Sequence, residues 1–405
     1  MKSIIRMQQL AGIITEVQAK RMLEILNEAN YYTIDKNKDI EPQIQQYIEK
    51  GGKGDLYLMN TKIQSLPDNL SVGGDLVLIG SSIKSLPNNL HVRGNLNASS
   101  TSIESLPKDL KVDGNLNLSS TKIQSLPDNL DIKGDLKLNY TSIKSLPKGL
   151  KVKGELDLGH TPIESLPDGL EVGGNLDLAK SKIQSLPKGL KVGGGLSLGY
   201  TPIKSLPDNL EVKGDLDLSS TTIESLPKGL KVGGNLYLWY TPIQSLPNDL
   251  KLGGGLRLAK SKIQSLPDNL EVKGDFEIRN TSIKSLPKGF KFTGGLDLSN
   301  SQIESLPDGL KVNGDLNLEN TPVKSLPNGL QVRGNLNLIN TKIQSLPDDL
   351  RVGKDLYLNG LPIESLPNSL EVRGEVWVSD TPLSQKYTQR QIKKMVPGVK
   401  KSIIF

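Results

Sequence analysis

Sixteen serines occupy an identical Ser-Leu-Pro setting at twenty-residue intervals, from Ser65-Leu66-Pro67 to Ser365-Leu366-Pro367. A serine hydroxyl becomes a nucleophile only beside a base. The 405-residue chain holds two histidines, His91 and His160, three to four repeats apart, so the recurring serine reads as a turn hydroxyl. Cysteine is absent, which excludes disulfides, thiolate metal sites and a cysteine nucleophile, and two separated histidines leave little basis for zinc. No catalytic residue, metal ligand or cofactor site is assigned, and the chain is read as non-enzymatic.

The side chains with most to offer are aromatic: Tyr140, His160, Tyr200, Tyr237, Trp239 and Tyr240. They fall at repeat positions equivalent to 57, 59 and 60. The column through position 57 is among the least repetitive, running Tyr57, Val77, Asn97, Asn117, Lys137, Asp157 and later Tyr237, Arg257, Tyr357 and Trp377. Variation confined to one face of a repeat suggests a recognition surface, and exposed aromatics serve as binding hot spots or sugar platforms. The plainer alternative is that they pair across a strand ladder.

The elements that must position these side chains follow from the repeat, I-x-S-L-P-x-x-L-x-V-x-G-x-L-x-L-x-x-T-x, which runs from about position 61 to 380. Apolar columns descend from Ile63, Leu66, Leu70, Val72, Leu76 and Leu78. Alternation at Leu70-x-Val72 and Leu76-x-Leu78 predicts two short extended segments per repeat, each with one buried face. Proline after Leu66 and the pair Asp68-Asn69 predict a turn. The glycine column through Gly74 and Gly94 suits either a bend with positive φ or close backbone approach between stacked coils. One twenty-residue coil buries too little to fold alone, so coils must stack and the ends need caps. Thr15-x-x-Gln18 predicts a helix to about Glu28, a second helix is expected from Pro42 to Lys50, and a basic helix is expected up to Pro397-Gly398, with a last strand in VKKSIIF.

Net charge is +6, and six basic residues after Asp380, among them Lys393, Lys394 and Lys400, equal the whole excess of 50 basic over 44 acidic residues. The repeats are formally neutral, which argues against nucleic acid along the solenoid. The basic C-terminal helix reads as a solvated face, with an acidic partner at Lys393 and Lys394 as the alternative. No apolar run is long enough to span a membrane, and the N-terminus lacks the apolar core of a classical signal peptide.

The run Leu56-Tyr57-Leu58-Met59-Asn60-Thr61-Lys62-Ile63 resembles the leucine-rich-repeat signature L-x-L-x-x-N-x-L. The twenty-residue period and the Ser-Leu-Pro element are similar to the short bacterial subclass of type III effectors, over about 320 residues. The resemblance implies a right-handed β-rich solenoid of about sixteen coils with a concave recognition face carrying columns 55, 57, 59 and 60. Two departures stand out. Thr or Ser replaces the family's Asn at Thr61, Ser81 and Thr101, so a buried hydroxyl ladder is expected in its place, and the effectors' second Leu-Pro is absent, with L-x-V-x-G in that region and a fuller back strand expected from it. The ubiquitin-ligase activity of some effectors also lacks its cysteine here. The leader RMQQLAGIITE resembles the opening of tailed-phage proteins, and Ile14-Thr15-Glu16 and Leu26-Asn27-Glu28 match the (Ile/Leu)-x-Glu processing pattern of prohead proteins.

The sequence thus reads as a helical leader and cap over residues 1–52, a leucine-rich-repeat solenoid over 53–380 and a basic cap over 381–405. The expected function is non-catalytic recognition of a protein or a glycan, with a phage origin favoured and a place in the infected host's cytoplasm or the virion. A rigid spacer or packaged virion component is the alternative.

Overall fold

A computed structural model describes residues 31–405 apart from Lys36, Asn37 and Asn129. The expected helix at 15–28 and both processing motifs lie outside the described residues. The fold is a parallel β-solenoid of about sixteen coils with twenty-residue repeats. Its contacts divide it into two units, one ending at Gly174 and one spanning Asn175–Phe405.

Each coil contributes two strand segments of two residues. In the first unit the front ladder starts at Tyr31–Thr33, pairs it with Asp55–Tyr57 and continues through Leu76–Val77 to Leu156–Asp157, with Leu56 opposite Leu76 and Leu136 opposite Leu156. The back ladder runs from Ser71–Val72 to Glu171–Val172. In the second unit the front ladder runs from Leu176–Asp177 to Val376–Trp377 and ends on Ile403–Ile404. Its back ladder is paired from Lys191–Val192 to Lys251–Leu252, then between Glu271–Val272 and Lys291–Phe292, then from Lys311–Val312 to Glu371–Val372. The breaks flank a cluster of oversized rings, Phe276, Phe290 and Phe292, whose centroids lie 4.9 and 5.2 Å apart in sequence order. Phe290 and Phe292 remain half-buried where the leucines and valines of most other coils are buried, because a core packed at interior density has no room for the larger ring.

Period-two alternation is what buries Leu116 and Leu118 while leaving Asn117 half-exposed. The glycine column is explained by close approach. A Cβ on Gly114 would stand 2.6 Å from Asn95 Oδ1 and 2.8 Å from the Gly94 carbonyl oxygen, and Gly114 lies outside the positive-φ set.

The hydroxyl column does not form the expected ladder between coils. Thr121 Oγ1 donates to the carbonyl of Leu118 in its own coil at 2.7 Å, and Thr61, Thr201, Thr241 and Thr321 do likewise at 2.6–2.8 Å. In this column the threonine hydroxyl turns back on its own coil, whereas the exposed Thr222, one column on, does reach the Ile203 carbonyl of the preceding coil at 2.9 Å. The link between coils falls to the column through position 55. Asn115 Oδ1 accepts the backbone N–H of Asp135 at 2.7 Å, while Asn115's own N–H donates to Asn95 Oδ1 at 2.8 Å. The same bond joins Asp215 to Asn235 and Asp315 to Asn335, at 2.7 Å each. Gly195, Gly255 and Gly295 occupy this column without a side chain to offer.

Both ends carry small caps. Helix α1, Ile40–Glu49, buries Ile44 and Tyr47, and the Tyr47 hydroxyl lies 2.6 Å from the Gly52 carbonyl oxygen and 2.8 Å from that of Gly54. Gly52, at φ +61, ends the helix where a Cβ would stand 2.4 Å from the Ser71 carbonyl oxygen. At the other end α2, Pro382–Lys386, and α3, Gln389–Met395, each open with a threonine capping box, at Thr381 and Thr388. Leu383, Ile392, Val396 and Val399 are buried over the last coil.

Candidate recognition surface

After each front strand the chain turns inward, and the turn is made in one way throughout. The residue in the column through position 60 adopts the left-handed conformation, with φ between 55 and 60° at every non-glycine position from Asn60 to Asp380. In most coils the threonine or serine that follows closes the turn through its bond to the carbonyl three residues back, as at Thr61 and Thr121, while the hydroxyls of Ser81, Ser261 and Thr341 have no partner and Leu361 carries none. Asparagine and glycine suit this backbone, and they hold it at Asn60, Gly80, Asn280, Asn300, Asn320, Asn340 and Gly360. In the middle of the chain the same strained position carries Tyr140, His160, Lys180, Tyr200, Tyr240 and Lys260. A side chain of that size in this conformation costs roughly 1 kcal/mol or more.

In the first unit Tyr140 and His160 stack with centroids 4.2 Å apart and ring planes 19° apart. In the second unit Lys180 Nζ lies 5.5 Å from the ring centre of Tyr200, and Lys260 Nζ lies 4.9 Å from that of Tyr240 while donating to its hydroxyl at 2.8 Å. Tyr200 is 64% exposed and Tyr240 58%, so these rings stand on the surface despite their neighbours.

Tyr237 and Trp239 lie inside this row on the strand and at its end. Their rings meet edge to face at 5.6 Å, and the guanidinium of Arg257 sits 5.9 Å from the Tyr237 ring centre. The Asn235 amide donates to the Tyr237 hydroxyl at 3.2 Å. Trp239 Nε1 is shielded from solvent and has no hydrogen-bond partner.

Of the residues singled out in the sequence, the structure therefore pairs Tyr140 with His160 and Tyr237 with Trp239, and gives Tyr200 and Tyr240 a lysine each. It does not put all six in one register, since Tyr237 is a strand residue and the column-60 residues lie on the turn beyond it. Column 55, expected to face a partner, is occupied by the ladder between coils. Lys180, Lys260 and Arg257 were missed, although the two lysines share the aromatic column and that shared column was the available signal.

Farther along the front face, Glu277 is almost fully buried, with Arg257 Nη1 at 3.4 Å from Oε2 and Arg279 on the other oxygen. It lines an open groove of about 490 Å³ with Asp275, Asp297 and Asp315. Tyr357 and Trp377 form a further stacked pair at 6.0 Å, and burial, followed by the charges of Asp355, Asp315 and Glu375, raises the Tyr357 phenol above its ordinary range.

The repeated serines are exposed. His91 lies 3.0 Å from Asp113, which also accepts from Lys133 at 2.9 Å, a surface ion cluster on the back ladder. Among the described residues no group of three or more His, Asp or Glu side chains is placed to hold a metal, and no helix is long and apolar enough to cross a membrane. Lys393 donates to the carbonyls of Val399 and Lys401 within the cap, so only Lys394 of that pair faces outward.

Solved leucine-rich-repeat structures share this architecture. The chain is similar to a leucine-rich-repeat protein of Leptospira interrogans, at 23% identity, TM-score 0.52, over 80% of this chain and 93% of that one. It is similar to YopM from Yersinia enterocolitica, at 22% identity, TM-score 0.56, over 83% and 81%. It is also similar to a chain in the Toll–Spätzle complex of Drosophila, at 17% identity, TM-score 0.51, over 81% and 50%. No family model and no curated protein sequence matches. These likenesses define the chain as a leucine-rich-repeat solenoid in fold.

Proposed function

We propose that the protein is a non-catalytic scaffold that recognises a protein partner through the row of Lys180, Tyr200, Tyr240 and Lys260, with Tyr237 and Trp239 beside it. The observation that carries this reading is conformational: bulky, exposed side chains occupy a left-handed backbone position that other coils fill with asparagine, glycine, serine or aspartate. Local stability favours the small residue, so the large one is retained for contact. Likeness in fold to leucine-rich-repeat proteins, one of them in a Toll–Spätzle complex, supports a binding role. The division into a 1–52 leader and cap, a 53–380 solenoid and a 381–405 cap belongs to the same proposal.

A glycan is the alternative ligand for exposed tyrosines, and the near-identical Ser-Leu-Pro turns would serve a rigid virion spacer equally well. Phage encoding, and with it a host-cytoplasmic or virion location, rests on the leader resemblance alone. The test is affinity capture from the native source with the wild type, with Tyr200→Ala/Tyr240→Ala, and with Ser100→Ala/Ser120→Ala from the same column. A partner held by wild type and the serine variant but lost by the tyrosine variant is expected. Equal recovery by all three would refute the assignment of the surface.

A further inference from the structure

The last coils of the back ladder form a second concave feature, of about 760 Å³, far in character from the aromatic row. Its floor is the strand segments Gln331–Val332, Arg351–Val352 and Glu371–Val372, and the closing segment of the C-terminal cap forms one wall, with Lys400 N–H bonded to the Val372 carbonyl at 2.7 Å. In the column through position 73, Arg333 and Arg373 stand on either side of Gly353, about 9.6 Å apart at two strand spacings. Gly353 has to be bare, because a Cβ there would lie 2.2 Å from the Arg333 carbonyl oxygen. The two arginines thus stand on either side of a coil that carries no side chain at this position.

The charge of this groove is not compensated. Elsewhere on the back ladder basic residues face acids in the next coil, as in Lys231 with Glu211 at 3.8 Å and Lys151 with Glu171 at 3.7 Å. Here Arg351 pairs with Glu371 at 3.5 Å, but among the described residues no carboxylate pairs with Arg333, Arg373 or Lys400. Three of the chain's nine arginines line this one groove, in a protein whose cations are otherwise mostly lysine. Arginine's planar fork binds oxyanions in pairs of hydrogen bonds, which a lysine ammonium does not do.

We propose that this groove is a binding site for a short polyphosphate, inorganic or as the phosphate chain of a small organic molecule, held by Arg333 and Arg373 with Lys400 at the cap end. Three uncompensated positive charges favour a compact polyanion, and the groove spans three coils before the cap closes it, which is too short for a nucleic-acid track.

Titration calorimetry of the full chain with inorganic triphosphate tests this. One saturable site per chain is expected, weakened by about tenfold or more in Arg333→Gln/Arg373→Gln, weakened less in Arg333→Lys/Arg373→Lys, and unchanged in Lys231→Gln/Lys291→Gln on the same ladder. Citrate, a tricarboxylate of about one charge less, is expected to bind at least about tenfold more weakly, because its planar carboxylates on a branched carbon skeleton offer the two arginine forks fewer oxygens than a chain of tetrahedral phosphates. Absence of saturable binding, equal loss in the lysine control, or equal binding of citrate would each overturn the proposal. Both arginines are exposed, and the single Arg373→Gln variant carries the test should the double variant unfold early.

Discussion

Truncating Asn115 to alanine should loosen the joint between two coils without harming either coil. Asn115 Oδ1 is the acceptor for Asp135 N–H at 2.7 Å, and that amide has no other partner in the stack. Its loss removes a net contribution of about 1 kcal/mol, within about 0.5–1.5. In a solenoid, stability is a sum of coil terms and nearest-neighbour terms, and this bond belongs to the second kind. The paired perturbation is Thr121→Val, which removes the 2.7 Å bond to the Leu118 carbonyl inside one coil and should cost a similar amount. Global unfolding in urea will therefore not separate the two. Amide hydrogen exchange will: Asp135 N–H should exchange about fivefold faster in Asn115→Ala, from about 1 kcal/mol of lost protection, and near the wild-type rate in Thr121→Val. Faster exchange at Asp135 in the threonine variant, with none in the asparagine variant, would refute the assignment of the ladder between coils to column 55.

Gly195→Asn should stabilise the second unit by about 1 kcal/mol in urea unfolding, because the new Oδ1 would meet the Asp215 N–H that glycine leaves unserved; its Cβ would pass 3.1 Å from the Asp215 carbonyl oxygen, so a fall in stability would show that the neighbouring coil does not give way. Tyr200→Asn should raise the thermal midpoint, by relief of roughly 0.5–1 kcal/mol of left-handed strain, while lowering partner recovery, and a fall in stability would show that the ring serves the fold. The Lys133 hydrogen bond, ahead of that from His91, holds the Asp113 carboxyl below its ordinary range. A lowered folded value means that the contribution is present above the unfolded value and is lost as pH falls through the folded one. Wild type should accordingly lose a small, salt-screened advantage over Asp113→Asn below about pH 4, as read by thermal unfolding at stepped pH.

The repeat architecture was legible without coordinates, since columns of leucine and valine at period two can bury one face only by stacking, and a Ser-Leu-Pro-x-x turn admits few alternatives. So were the helix ending at Gly51-Gly52 and the last strand at Ile403–Ile404. The site was legible in part. Tyr140 and His160 share a column, which brings them together in neighbouring coils, but nothing in their identity reveals that the column is left-handed. That conformation depends on where the strand ends and the turn begins, and it is kept at Lys260 and Asn340, where the hydroxyl that follows has no partner. The hydroxyl ladder was misplaced for a related reason: composition shows which side chains carry a hydrogen-bonding group, whereas the backbone group it meets is set by where the turn aims it. Asn115 faces the amide of the next coil and Thr121 a carbonyl of its own. The arginine groove was legible in part, since Arg333 and Arg373 share a column two coils apart, but Lys400 joins them only when the C-terminal segment folds back against the last coil. Periodicity determined the fold because it acts between residues twenty apart in every coil. The tertiary structure decided the surfaces, because a surface is made of whichever side chains the turns and caps leave without a partner.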